Sequence, residues 1–382
     1  MKRIEILSNK QVWDVKGIDK DNPELTFEAL FSGGALEKII NDFEFEYRKK
    51  NKKGIFSDYS ENNRIRGMAV TKALLSSNPL KIKFAKHVLA MLGKNGAEGI
   101  FVLDKGLGYK NWNRKDKNCW SNIDKVVIGG GVSKDYTGKI LISAIKKNLN
   151  KNGLNNIKIF QAKFPGKESG FLGAVVNLLP RVFKEKSNNI QAVIGVDLGR
   201  DKIGAGFIVI DTKKRKILGK LKTLWHSIIV NKTPGGHNLK IFVDSKKKYS
   251  KREAALGLKI RSQILEKIVE LIVENVKIIT AQKLAYSKFI GLSIPGEVDK
   301  DGGIIGSAHY LPFFKLSDNF QFKAELKKVL CRHNLVDLEP VVINDGVAAG
   351  LSNVYFDDRI KSGKVIFLGV GSGLGSFIGR IK

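Results

Sequence analysis

The chain has 382 residues, 43% of them hydrophobic, with 67 Lys and Arg against 37 Asp and Glu and a formal charge of +30. That length and apolar content exclude a disordered chain and predict two globular domains, each with its own core. No run of about 18 apolar residues occurs, and Met1–Ser8 lacks a signal-peptide core, so a soluble, cytoplasmic protein with no membrane partner is expected.

In chain order, apolar residues at helical spacing predict helices over 26–45 and 69–93, the second carrying Leu74, Leu75, Val88, Leu89 and Leu92. Ile100–Leu103 and Val126–Ile128 read as short strands, the latter followed by three glycines and a helix over 136–149. Ile157–Phe160 is a further strand, Gly170–Leu179 a helix, and the polar run Lys184–Asn189 a linker. Beyond it, strands are predicted over 192–196, 204–210 and 217–223, with a turn at Asp211–Arg215. A long amphipathic helix follows over 251–276, then a strand at 289–294, a helix at 322–331 and a strand at 340–343. Strands alternating with helices argue for α/β layers.

The two cysteines, Cys119 and Cys331, have no partners at metal-ligand spacing, so neither a zinc site nor a disulfide framework is indicated. The positive charge raises nucleic acid as a partner, but the basic clusters Arg48–Lys53, Lys213–Lys216 and Lys246–Arg252 lie in polar stretches between apolar ones. Such clusters read as solvated turns, so nucleic acid is not the expected partner. The charge would still speed encounters with a polyanion such as ATP.

Three glycine-rich turns carry the chemistry. Asp197-Leu-Gly199 follows a strand, and backbone N–H groups at such a turn surround an anion, although an ordinary hairpin has the same look. Gly369-Val-Gly-Ser-Gly-Leu-Gly375 adds the Ser372 hydroxyl to a nest of donors around Gly371 and Gly373, with a structural bulge as the alternative. Gly129-Gly130-Gly131 stands where a helix opens and would admit close approach of a nucleotide, or simply tight packing. Asn344-Asp345 follows the strand ending at Ile343, placing a carboxylate at the mouth of a sheet where it can accept a proton; Asp345 could equally cap the next helix.

Taken together, these segments resemble the ROK family of bacterial sugar kinases and repressors, within the hexokinase and actin superfamily. The Asp197 turn is similar to that family's first phosphate loop, Ile290–Asp299 to its Pro-Gly-x-Val-Asp strand and turn, Asn344-Asp345 to its catalytic motif, and Gly371–Gly375 to its second phosphate loop. Phe27–Leu36, Ile128–Ser133 and Ser169–Ala174 resemble the family's carboxyl-terminal half, yet they come first here. The resemblance therefore implies a circularly permuted, two-domain α/β fold of the ribonuclease H-like, actin-like ATPase type. Its larger domain would be 1–170 with 361–382 and its smaller 171–356, the active site lying in the cleft between them. The strand Arg3–Leu7 should pair beside the strand ending at Ile381.

By the same resemblance, the activity is ATP-dependent phosphorylation of a hexose or hexose derivative. Asp345 would be the general base, Asp197 would hold Mg²⁺ through water, and Asn344 and Glu28 would bind the sugar. Gly199, Gly371, Ser372 and Gly373 would bind phosphates and Gly129–Gly131 the adenosine, the three turns converging on one triphosphate. A homodimer is compatible with the reading. Departures from the family are Arg200-Asp201 in place of Gly-Thr, Tyr310 in place of a sugar-binding asparagine, and the absence of histidine from residues 1–36. They favour the alternative of a non-catalytic sugar or nucleotide sensor; an actin-like or chaperone-like ATPase is a third class, opposed by the Pro295–Asp299 turn.

Overall fold

In this computed structural model the described residues are 2–8, 11–12, 14–19, 21–51, 54–55, 67–107, 114–164, 168–185, 189–199, 203–220, 224–226, 250–299, 301–305, 320–371 and 374–382. The chain begins with β1 (Ile4–Ser8), α1 (Phe27–Leu30), α2 (Gly33–Asn51), α3 (Gly67–Leu74), α4 (Pro79–Asp104) and α5 (Arg114–Trp120). Next come β2 (Lys125–Gly129), α6 (Asp135–Lys151), β3 (Lys158–Gln161), α7 (Ser169–Val182), β4 (Ile190–Leu198), β5 (Ile203–Asp211), β6 (Lys216–Lys220) and β7 (Leu224–His226). After them stand α8 (Lys251–Ala281), β8 (Ala285–Tyr286), β9 (Phe289–Ile294), β10 (Glu297–Val298), β11 (Ile304–Ile305), α9 (Phe322–Arg332), β12 (Glu339–Asn344), α10 (Asp345–Tyr355), β13 (Gly363–Val370) and β14 (Leu374–Ile381). Two compact units result, one of Lys2–Gly166 with Asn353–Lys382 and one of Lys167–Ser352.

The first unit is built on the sheet β1-β14-β13-β2-β3. β13, β2 and β3 are parallel, and their buried runs Ile366–Leu368 and Val126–Ile128 have the continuous apolar character of strands covered on both faces. β14 turns back antiparallel on β13, and β1 pairs with its outer edge from Ile4 opposite Ile381, the pairing expected for Arg3–Leu7. Arg3 O also accepts the Lys382 N–H at 3.1 Å.

Three expectations are corrected here. The single helix expected over 69–93 is two, α3 and α4, the second opened by Asn78 as its cap, with Pro79 at its first position. Ile100–Leu103 is not a strand but the last turn of α4, because the helical spacing runs on through Gly93, Gly96 and Gly99. Those glycines let α4 lie directly on α6 and on the stacked rings of Phe27 and Phe31, whose centroids are 5.7 Å apart. A short run that is apolar all round reads alike as a buried strand or a buried helix. The single helix expected over 26–45 is two, broken at Ser32, whose hydroxyl caps the second by accepting the Ala35 N–H at 3.1 Å. A methyl group at Gly99 would collide with the wholly buried Phe27 ring. Gly99→Ala should therefore lower stability by about 1–3 kcal/mol from overpacking, outweighing the roughly 1 kcal/mol gained in helix propensity. Urea denaturation checks this, and an unchanged or raised midpoint would contradict the packing.

The second unit is built on the sheet β12-β9-β4-β5-β6, with β7 beside β5 and β8 beside β4. β12, β9 and β4 are parallel, while β5 and β6 run antiparallel. Alternation divides the faces cleanly. Ile194, Val196, Ile290, Leu292 and Ile294 enter one core with Ile264, Ile268 and Ile272 of α8 and Leu326 and Leu330 of α9. The intervening positions face α7, which comes so close that a Cβ at Gly195 would stand 2.5 Å from Phe171 O and one at Gly291 2.5 Å from Ala174 O. On that same α7 face, further along the strands, lie Asp197 and Ser293.

Candidate active site

Asp197 sits near the end of β4, opposite Gly204 of β5 and Ser293 of β9. The wholly buried Ser293 hydroxyl donates to Asp197 Oδ1 at 2.7 Å. The first turn of α7 abuts the whole carboxylate at Gly170, where any side chain would collide with it. Asp197 keeps some accessible surface, yet protein encloses it on the remaining sides. Burial pushes its carboxyl up to about 7; the Ser293 hydroxyl pulls the other way and the Asp345 charge adds to the rise.

Asp345 opens α10 where β12 ends, two residues beyond Ile343, the register partner of Ser293. Its Oδ1 accepts the Gly346 N–H at 2.8 Å and the Asn344 amide at 3.2 Å. Burial raises this carboxyl to about 6 against the pull of those donors. Helix capping, one of the two roles open to Asp345 in the sequence, falls to Asn344, whose Oδ1 accepts the Val347 N–H at 3.1 Å. Asn344 Nδ2 also donates to Gly296 O at 2.7 Å, inside the Pro295–Asp299 turn, where Gly296 has φ 108°. Both Nδ2 hydrogens are thus committed, leaving one Oδ1 lone pair for the sugar contact expected of Asn344. Two carboxyls with elevated, different affinities for a proton, one of them held by Asn344 and Gly346, stand at the carboxyl ends of parallel strands, an arrangement chemically able to exchange protons.

In the other unit the parallel pairing of β2 with β13 sets Gly129 opposite Gly369 and brings two of the glycine turns together. Gly130, at φ 85°, leaves no room for a Cβ against the Val370 backbone, whereas beside Gly131 the space is open. The helix expected to open at these glycines starts later. A 3₁₀ turn over Gly131–Ser133 intervenes, and α6 begins at Asp135, itself at φ 45°. Gln161 Nε2 clamps this strained entry, donating to Ser133 O at 2.6 Å and Asp135 O at 3.2 Å.

Glu28 lies at the same end of the sheet because side chains complete the edge of β14 where β1 stops. Gln11 Oε1 accepts the Ser376 N–H at 3.0 Å, and the Glu28 carboxylate accepts the Leu374 N–H. Burial raises the Glu28 pKa, with that N–H opposing. Gly33 N–H donates to Gly371 O at 2.7 Å, tying the Glu28 segment to the turn. Among the described residues the buried Gln11 Nε2 has no hydrogen-bond partner. Ser372, Gly373, Arg200, Asp201 and Tyr310 lie outside the described residues. Gly199 follows the end of β4 and so belongs to the second unit, whereas the other two glycine turns belong to the first.

Ser293, Gly170 and Gln11 escaped the sequence reading. Ser293 had a signal, as a polar residue within the apolar strand Phe289–Ile294; Gly170 had only its place in a helix of small residues. Among the described residues no three His, Cys, Asp or Glu side chains cluster to hold a metal, and no helix is long and apolar enough to cross a membrane. A hydrated Mg²⁺ needs only one or two carboxylates besides substrate phosphates. The partly accessible Asp197 carboxylate fits that donor set.

These sheets and sites define a mixed α/β protein of two units, each with its polar residues at the carboxyl ends of parallel strands. No family model matches the chain, and no curated protein matches it. Among solved structures it is similar to a ROK hexokinase from Thermus thermophilus, at 19% identity and a TM-score of 0.26, over 49% of this chain. The chain spans about half of that hexokinase, 46% of its length.

Proposed function

We propose that this chain is an ATP-dependent sugar kinase of the ROK type with a circularly permuted order. The observation that carries the reading is Asp345: a carboxylate at the end of a parallel strand, held by Asn344 and Gly346, with its pKa moved toward neutrality. A general base works best when its pKa lies near the working pH. Asp345 would accept the proton of a sugar hydroxyl as that oxygen bonds to the γ-phosphorus and the bond to the β-phosphate oxygen breaks, releasing ADP. Asp197 would hold hydrated Mg²⁺, which when bound neutralises phosphate charge. Backbone N–H groups at Gly199 and Gly371 would bind phosphate oxygens, with Ser372 and Gly373 completing the second loop. Gly130, pressed on Val370, and the open space at Gly131 suit the adenosine, and the half-buried Glu28 would accept a hydrogen bond from a sugar hydroxyl. The pairing of β1 with β14 supports the permuted order.

A thermal-shift series with Mg²⁺–ATP and a panel of hexoses, followed by a coupled ADP assay, tests the reading. A ligand at about 100 times its dissociation constant stabilises by about 2.7 kcal/mol. Stabilisation by both ligands with ADP release supports the kinase. Stabilisation by a sugar without ADP release would replace it with the sensor that Arg200-Asp201 favours, and no response to any nucleotide would overturn it.

A further inference from the structure

We propose that Ser293 is a positioning residue for Asp197, fixing the orientation of that carboxylate and holding it apart from Asp345. This deepens the kinase reading and rests on it for the meaning of Asp197. The strand order carries the argument. β9 lies between β4, which bears Asp197, and β12, which leads to Asp345. Ser293 is in register with Asp197 on one side and Ile343 on the other, so its side chain stands between the two acids on the α7 face.

A wholly buried hydroxyl in an apolar strand requires a partner, and the one it has is Asp197 Oδ1 at 2.7 Å. Gly170 lies against the whole carboxylate, so what distinguishes its oxygens is the Ser293 hydroxyl on Oδ1, which turns Oδ2 toward a ligand. Alanine at 293 would remove the donor, and repulsion from Asp345 together with the close approach of Gly170 would rotate the carboxylate. Threonine keeps the hydroxyl.

The test compares Ser293→Ala and Ser293→Thr by two readouts. In the nucleotide-free protein, the ¹³Cγ resonance of Asp197, assigned by its loss in Asp197→Asn, is recorded at one fixed alkaline pH. In turnover, the KM for Mg²⁺–ATP is compared with the KM for the sugar. Ser293→Ala should move the resonance and raise the nucleotide KM about 5- to 10-fold while the sugar KM changes less than about twofold. Ser293→Thr should restore both. An Asp197 resonance unmoved in a folded Ser293→Ala protein would overturn the proposal, as would a folded Ser293→Thr protein that fails to restore it. Absence of phosphoryl transfer in the unmutated chain would instead sink the kinase reading and leave the resonance to decide this one.

Discussion

Asp345→Asn is expected to lower turnover by about 10²–10⁴-fold while nucleotide binding stays within about threefold of the parent. Asparagine keeps the shape of the side chain, and its carbonyl oxygen can still accept the Gly346 N–H, so the start of α10 should survive. What is lost is the capacity to take a proton. The pH dependence adds a second signature. Asp345 near 6 and Asp197 near 7 must both be ionised for base catalysis and Mg²⁺ binding. Because the two interact, their ionisations are macroscopic steps of a pair. The logarithm of kcat/KM should therefore fall with a slope approaching about two as pH drops below ~6. A rate that is flat down to pH 5, or an Asn variant with full turnover, would remove Asp345 from the mechanism.

Asp197→Asn is expected to make the protein inactive and more stable at once. The folded protein binds the Asp197 proton more tightly than the unfolded chain does, since burial moves the carboxyl from 3.8 to about 7. The stability this contributes is complete below pH ~4 and is lost as pH rises through about 7. At pH 8 the unmutated protein carries the unfavourable buried charge and the Asn variant does not. The gain should be on the order of 2 kcal/mol at pH 8, after allowance for solvent at the accessible edge, and vanish near pH 4. For units of this size it appears as a rise of several degrees in the thermal midpoint. Turnover should fall at least about 100-fold, from loss of the charge that holds hydrated Mg²⁺. A variant that loses stability at pH 8 would show that the carboxylate is a structural ion rather than a strained functional one.

Much of the architecture was legible because the local patterns are strong. Val126–Ile128 read as a strand because it is short, β-branched and followed by glycine. The helix over 251–276 was visible from its spacing; its start is a capping box, with Ser250 accepting the Glu253 N–H and Glu253 reaching back to the Ser250 N–H. Ile100–Leu103 misled because Gly93, Gly96 and Gly99 weaken the helical pattern before it, and what offsets them is the close packing of α4 on Phe27, Phe31 and Ala144, which spacing along the chain does not record.

The site divides along the same line. Residue types at the ends of strands were enough to single out Asp197, Asn344, Asp345 and the glycine turns, since a carboxylate after an apolar run and glycines at alternate positions are chemical statements in one dimension; Glu28 was singled out only by the family resemblance of Phe27–Leu36. Only the tertiary structure decided what each was tied to: that Asn344 caps α10 while holding Asp345, that Ser293 donates to Asp197, and that Glu28 takes the Leu374 N–H where β1 runs out. Those facts depend on strand order and register, which bring together residues nearly 150 or 350 positions apart, such as Asp197 with Asp345 and Glu28 with Leu374. Spacing along a chain records which face of a strand a residue occupies, but not which strand lies beside it.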